Sequence, residues 1–108
     1  MEQIRIENLM GGVGPILKRD LLLDPHVRRH CRLYAELTLL PGSSIGENAH
    51  VGESETYYIL SGSGILNDNG TTRRVGPGDA VFTGYGQHHG LVNDGAENLV
   101  LMALVMLD

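Results

Sequence analysis

Two histidines and one glutamate are the residues of this sequence whose types and spacing could bind a metal ion. His50 and Glu55 lie on either side of a short turn that leads into a predicted strand, and His89 opens another predicted strand further along the chain. Imidazole and carboxylate are donors that divalent transition metals prefer in proteins. Three such donors on one face of an ion leave its other positions open for water, dioxygen or a substrate. The alternative interpretation is a polar pocket that holds no metal.

Short β-strands must position these residues, because glycine-rich turn signals recur every 8 to 12 residues or so along the chain. The strands are predicted at 16–23, 32–39, 56–60, 65–68, 71–75, 80–83, 89–92 and 98–107. Asn69 and Gly70 both accept a positive φ and predict a hairpin. One helical turn is predicted over 27–30, and a polar stretch, 43–54, follows the strand at 32–39. The fifteen glycines fit such a fold and not a helical bundle, so the sequence predicts an all-β barrel or sandwich.

The last predicted strand, 98–107, is apolar on both faces. One face must line the core, and the other needs cover from the N-terminal segment or from a second subunit. Because the chain is short, a homodimer is the predicted source of at least part of that cover.

Two segments, 42–62 and 78–93, resemble the two sequence motifs of the cupin family. The first reads Gly42, five residues, Asn48-Ala49-His50, four residues, Glu55, six residues and Gly62. The second places Gly78, Gly86, His89 and Asn93 at the family's spacing, with Gly84 where proline is usual.

The resemblance implies a double-stranded β-helix, also called a jelly-roll barrel. It predicts one cupin domain over 1–108, with a lead-in segment and first strand at 1–31 and the barrel at 32–108. It also implies one divalent transition metal (Fe, Mn, Ni or Zn) held by His50, Glu55 and His89.

Asn48 departs from the family pattern, because it stands where the first of three histidine ligands is usual. An amide oxygen is a weaker donor than imidazole. Three interpretations stay open for Asn48: a weak fourth ligand, a hydrogen-bonding residue behind the ligands, or the mark of a site that has lost its metal.

The positions of several other residues are also predicted. The predicted wall of the pocket consists of Tyr57, Ile59, Leu91 and Asn93. Glu53 is predicted to be a solvated loop carboxylate. Neighbours of inward residues on a strand point outward, so Glu47 and His88 should face away from the site. The remaining predictions place His26 and His30 at the surface and make Cys31 a small buried hydrophobe.

Composition and charge exclude several classes of function. The chain has 108 residues and a net charge of −5, so it lacks the basic surface that nucleic acid or an anionic membrane requires. Cys31 is the only cysteine and no signal peptide is apparent, which predicts a reducing, cytoplasmic location. The predicted function is a metal-binding barrel that acts on or binds a small polar molecule, such as a metal-dependent oxygenase or isomerase. The alternative is a non-catalytic ligand-binding or sensor barrel whose metal site is weakened or absent.

Overall fold

The structure, a computed structural model, describes residues 2–21 and 24–108, and these form ten β-strands and little helix. The strands are β1 (Gln3–Glu7), β2 (Pro15–Asp20), β3 (Cys31–Leu39), β4 (Ser44–Ala49), β5 (Glu53–Ser61), β6 (Gly64–Asp68), β7 (Thr71–Val75), β8 (Ala80–Thr83), β9 (His88–Val92) and β10 (Leu99–Leu107). A turn of 3-10 helix spans Leu9–Gly11, and one short α-helix, α1, spans Pro25–Arg28. Among the described residues, no helix is both long enough and apolar enough to cross a membrane.

The described strands form a six-stranded and a four-stranded antiparallel sheet that share one hydrophobic core. The six-stranded sheet has the order β1-β2-β3-β10-β5-β8, and the four-stranded sheet has the order β4-β9-β6-β7. Both sheets contribute fully buried leucines to the core: Leu39, Leu99 and Leu101 from the larger sheet, and Leu66 and Leu91 from the smaller. Interleaved strand order with two sheets packed on one core is the jelly-roll arrangement, so the predicted fold class is confirmed.

Most of the predicted strands are present with small shifts at their ends. The hairpin at Asn69 and Gly70 joins β6 to β7, and both turn residues have positive φ. The prediction of a strand at 16–23 is right for its first part, which is β2, whereas Leu22 and Leu23 lie outside the described residues. The helical turn predicted at 27–30 forms slightly earlier, as α1.

Strand β4 was not among the predicted strands, and it occupies the first half of the polar stretch 43–54. A β-bulge interrupts β4: Ile45 pairs with Leu91 and Asn48 pairs with His89, so three steps on β4 match two steps on β9. One extra residue reverses which face a side chain takes. The bulge thereby lets Ile45, Asn48 and His50 all turn toward the interior, although their spacing breaks the simple alternation by which a strand is predicted.

Strand β10 lies at the centre of the larger sheet, between β3 and β5. Its inward side chains, Leu99, Leu101, Ala103 and Val105, are fully buried. Its outward side chains Val100, Met102 and Leu104 are partly exposed. The prediction that one apolar face of this strand lines the core is therefore confirmed.

Candidate metal centre

The three candidate ligands come from three different parts of the barrel. His50 follows β4 in the turn before β5, where its amide donates to the Gln87 carbonyl and its carbonyl accepts from the Gly86 amide. Glu55 lies in β5, and His89 lies in β9 opposite Asn48. All three side chains are buried, with 1% of His50, 5% of Glu55 and 1% of His89 exposed.

Their donor atoms form a small triangle. His50 Nε2 lies 3.0 Å from Glu55 Oε1 and 3.2 Å from His89 Nε2. His89 Nε2 lies 2.8 Å from the same Glu55 oxygen. Donors that bind one metal ion at about 2.1 Å, with roughly right angles between the bonds, are about 3.0 Å apart. The triangle thus has the size that one transition-metal ion requires.

A carboxylate behind His50 fixes the tautomer of a neutral His50 ring. Glu53 Oε1 lies 3.0 Å from His50 Nδ1, and both oxygens of Glu53 accept hydrogen bonds from Arg32, at 2.8 Å from Nε and from Nη2. The paired Arg32 guanidinium, helped by the hydrogen bond from His50, holds the pKa of Glu53 at about 2. Glu53 is thus ionised at neutral pH and can only accept, so the proton of a neutral His50 ring resides on Nδ1.

The prediction that Glu53 is a solvated loop carboxylate is wrong. It begins strand β5, and only 16% of its side chain is exposed. The two partners that bury it are Arg32, which is 21 residues distant in sequence, and His50.

His89 is held from two sides. Its Nδ1 lies 2.8 Å from the hydroxyl of Thr83, a fully buried residue at the end of β8. The Tyr57 ring stacks on the imidazole, with centroids 4.8 Å apart and planes 11° from parallel. Burial, followed by the nearby Glu55 charge, raises the pKa of the Tyr57 phenol well above its ordinary value, so this hydroxyl keeps its proton at neutral pH.

The donor set fits a metal ion better than it fits a proton alone. A neutral His50 turns an Nε2 lone pair toward the Glu55 oxygen and the His89 nitrogen, and atoms with only lone pairs repel at these distances. A proton on His89 Nε2 would leave no proton between His50 Nε2 and the Glu55 oxygen, whereas a metal ion is attracted by all three donors. Two imidazoles and a carboxylate also form a common donor set for divalent transition metals.

Asn48 lies on β4 and its side chain lines a cavity beside the donor triangle. Its buried Oδ1 has no hydrogen-bond partner among the described residues. An unsatisfied buried acceptor is costly and calls for a donor or a cation. A weak metal ligand would have such a free oxygen, whereas a residue that hydrogen-bonds behind the ligands would not. The role of Asn48 as a weak fourth ligand stays a prediction.

The cavity has a volume of about 120 Å³, which is room for several water molecules or one small molecule. Its polar lining residues are Lys18, Arg32, Asn48, Glu55 and Tyr57, and its apolar lining residues are Ile6, Leu9, Met10, Leu33, Leu37 and Ile45. Of the four residues predicted to form the pocket wall, only Tyr57 lines this cavity. Ile59 and Leu91 are buried in the core.

Asn93 has a structural role instead of a place in the cavity wall. Its amide nitrogen donates to the carbonyls of Leu39 and Glu97, and its Oδ1 accepts from the Gly95 amide. Because the oxygen and the nitrogen of its side-chain amide both form hydrogen bonds with the main chain, Asn93 fixes the loop between β9 and β10.

The residues predicted to face away from the site do so. The side chains of Glu47 and His88 contact each other, and both are more than two-fifths exposed. His26 and His30 are exposed, and Cys31 is buried.

Sequence reasoning missed Arg32, Glu53 and Thr83 as partners of the candidate ligands. The inward position of Thr83 was predictable, because it lies two residues after the apolar Val81 in the predicted strand 80–83 and therefore on the same face. Arg32 and Glu53 had none, because their role depends on a contact across 21 residues.

Comparison with known proteins gives one family match. The family model described as "Cupin domain" matches residues 35–106. A curated "Oxalate-binding protein" from Thermotoga maritima is 40% identical over 103 residues, which cover 95% of this chain and 85% of that protein.

Solved structures agree with this match. A crystal structure of a "predicted oxalate decarboxylase" from Thermotoga maritima has a TM-score of 0.95 and 39% identity, covering 98% of this chain and 92% of that one. A "Cupin 2 conserved barrel domain protein" from Salinispora arenicola has a TM-score of 0.71 and 28% identity, covering 86% of this chain and 76% of that one.

Proposed function

Since the chain belongs to the cupin domain family, we propose that it binds one divalent transition-metal ion and, together with that ion, a small carboxylate. His50, Glu55 and His89 would hold the metal, and the adjacent cavity would hold the carboxylate. The observation that carries the proposal is the buried triangle of two imidazole nitrogens and one carboxylate oxygen, with edges of 2.8–3.2 Å.

The identity of the metal follows only in part from the donors. Replacing one imidazole of a three-histidine set by the Asn48 amide shifts preference toward iron or manganese and away from copper. A bound metal would act as a Lewis acid that attracts carboxylate oxygens. Behind it, Glu53 and Thr83 would keep the two imidazole rings oriented.

Two observations support a small carboxylate as the ligand. Lys18 and Arg32 line the cavity and bring positive charge to it, beside the unpaired Asn48 oxygen. A relative with 40% identity along most of the chain is named as an oxalate-binding protein. Both cations also pair with carboxylates of this chain, Lys18 with Asp20 at 3.3 Å and Arg32 with Glu53. The metal would therefore supply most of the attraction for the ligand.

We favour binding over turnover because of what the cavity contains. Among the described residues that line it, Glu55 is the only carboxylate and there is no histidine. Glu55 is assigned to the metal, so the described lining offers no further carboxylate or imidazole as the general base that an isomerase would need. Oxygenase or isomerase activity stays a prediction, as does a cytoplasmic location.

The matched pair His89→Ala and His88→Ala tests the metal site. The two histidines are adjacent on β9, but His89 faces the triangle and His88 faces outward toward Glu47. Elemental analysis and Mn²⁺ titration should find about one metal ion per chain in the wild type and in His88→Ala. His89→Ala should lose most of this binding while keeping its β-sheet circular dichroism.

Oxalate titration of the Mn²⁺-loaded protein then tests the carboxylate. Saturable binding that disappears in His89→Ala supports the proposal. Equal metal content in both variants would place the metal elsewhere. Metal binding without any carboxylate binding would support the metal site and contradict the proposal that the cavity binds a carboxylate.

A further inference from the structure

The walls of the cavity beside the metal centre come from two different parts of the chain. The candidate metal ligands and Tyr57 lie within the family match, residues 35–106. Ile6, Leu9 and Met10 lie upstream of that match, in a segment that we call the N-terminal arm, residues 3–14. The arm thus forms an apolar wall next to a site whose donors belong to the barrel.

The lining of the cavity is more apolar than a purely polar ligand needs. Six of its eleven lining residues are aliphatic or thioether side chains. A dianion such as oxalate offers these side chains no apolar group and would leave them in contact with water. Binding sites for small molecules typically combine a mainly apolar lining with a few polar groups that fix the ligand's orientation.

From this lining we infer that the preferred ligand is a small carboxylate that carries a short aliphatic group. A 2-oxo acid of four to six carbons is an example: its carboxylate and carbonyl oxygens can face the metal and the cations as those of oxalate can, while its alkyl group contacts the arm. The inference rests on the proposed function and specifies its ligand. It also makes the N-terminal arm the element that selects the ligand.

The expected size of the preference follows from the area removed from water. Burying one methylene group contributes about 0.8 kcal/mol, which corresponds to about fourfold in affinity. Ligands with the same oxygen atoms and successively longer tails should therefore bind more tightly at each step until the cavity is full.

The test is calorimetric titration of the Mn²⁺-loaded protein with pyruvate, 2-oxobutanoate and 2-oxopentanoate. These acids have the same chelating group, so the contribution of the metal cancels within the series. We expect the dissociation constant to fall about fourfold per added methylene over at least one step. A series that is flat, or that weakens with tail length, would overturn the inference. If the series is flat but oxalate still binds, only the inference about the aliphatic group is contradicted. If neither Mn²⁺ nor any carboxylate binds, the proposed function is contradicted as well.

A matched pair of variants tests the role of the arm. Met10 lines the cavity, is 51% exposed and has a φ of 53°, a conformation that asparagine tolerates, so Met10→Asn should fold. Val13→Asn is the control, because Val13 lies in the same arm, is 64% exposed and does not line this cavity.

Met10→Asn should reduce the gain in affinity from the longest tail, measured against pyruvate in the same variant, by roughly threefold or more. Val13→Asn should behave as the wild type with every ligand. Identical tail-length series in the two variants would contradict the assignment of ligand selection to the arm.

Discussion

Glu53 joins the candidate metal centre to a more distant part of the chain. It accepts both hydrogen bonds of the Arg32 fork and one from His50 Nδ1, which would leave the Nε2 lone pair of His50 for a metal ion. The surface pair of Glu47 and His88 has the same two residue types but faces outward and touches no candidate ligand. The difference between the two carboxylates lies in their positions and not in their chemistry.

Replacing Glu53 with glutamine should weaken metal binding, because a neutral amide loses the Arg32 ion pair and no longer fixes the proton on His50 Nδ1. We expect Glu53→Gln to lower Mn²⁺ affinity by about 10–100-fold, with the sheets intact. Glu47→Gln is the control and should bind Mn²⁺ as the wild type does. The measurements are metal titration and the ¹⁵N chemical shifts of His50, which report its tautomer. Unchanged affinity and an unchanged tautomer in Glu53→Gln would show that the contact does not position His50.

At the scale of elements, the sequence predicts what is decided locally. The β6–β7 hairpin was predictable because Asn69 and Gly70 themselves determine the turn. Strand β4 was not, because its bulge breaks the alternation of inward and outward residues. His50, Glu55 and His89 were found through their motif spacing, whereas the Arg32–Glu53 contact is visible only once β3 and β5 are folded.

Close contact between two glycines holds the N-terminal arm against β4. A methyl group at Gly46 would overlap with the carbonyl oxygen of Met10, and one at Gly12 would overlap with that of Ser44. The main chain of Ser44 also donates to the Val13 carbonyl at 2.8 Å. The arm therefore docks through its backbone and depends on the absence of side chains at these two positions.

The variant Gly46→Ala should displace the arm and destabilise the fold by about 1–3 kcal/mol, the usual cost of overpacking. Thermal unfolding measures the loss, and limited proteolysis of residues 8–14 reports the detached arm. Gly76→Ala is the matched control: an added methyl there meets no atom closer than 4.0 Å, so its stability should stay close to that of the wild type. Equal melting temperatures for the two variants would show that the arm does not need the contact.

At the scale of the whole molecule, the outer face of the six-stranded sheet carries several exposed or partly exposed apolar side chains. On this face Met102 of β10 is paired with Tyr58 of β5. Two residues before Tyr58, Thr56 of the same strand is paired with Phe82 of β8, so large side chains continue across the three strands. Tyr58 is 45% exposed and Phe82 is 64% exposed. The described strands of the N-terminal segment extend the sheet beyond β3 and do not lie across this face. We propose that a second copy of the chain covers it.

A charge on this face should therefore separate the two copies. We expect the wild type to have twice the mass of one chain in light scattering, and Met102→Asp to have the mass of a single chain or to unfold. Val51→Asp is the control, since Val51 is 74% exposed in the turn between β4 and β5 and lies off the face. A monomeric wild type, or a Met102→Asp variant with unchanged mass and melting temperature, would contradict the dimer.

The backbone docking of the N-terminal arm has a consequence for how this protein diverges over generations. Because glycines and main-chain hydrogen bonds hold the arm, and Leu9 packs against the core, Ile6 and Met10 can be replaced without releasing the arm. Each such replacement would reshape the cavity and leave the candidate metal donors in place. Single mutations in the arm would then be enough to change the ligand, so descendants with the same three candidate donors could come to bind different small molecules.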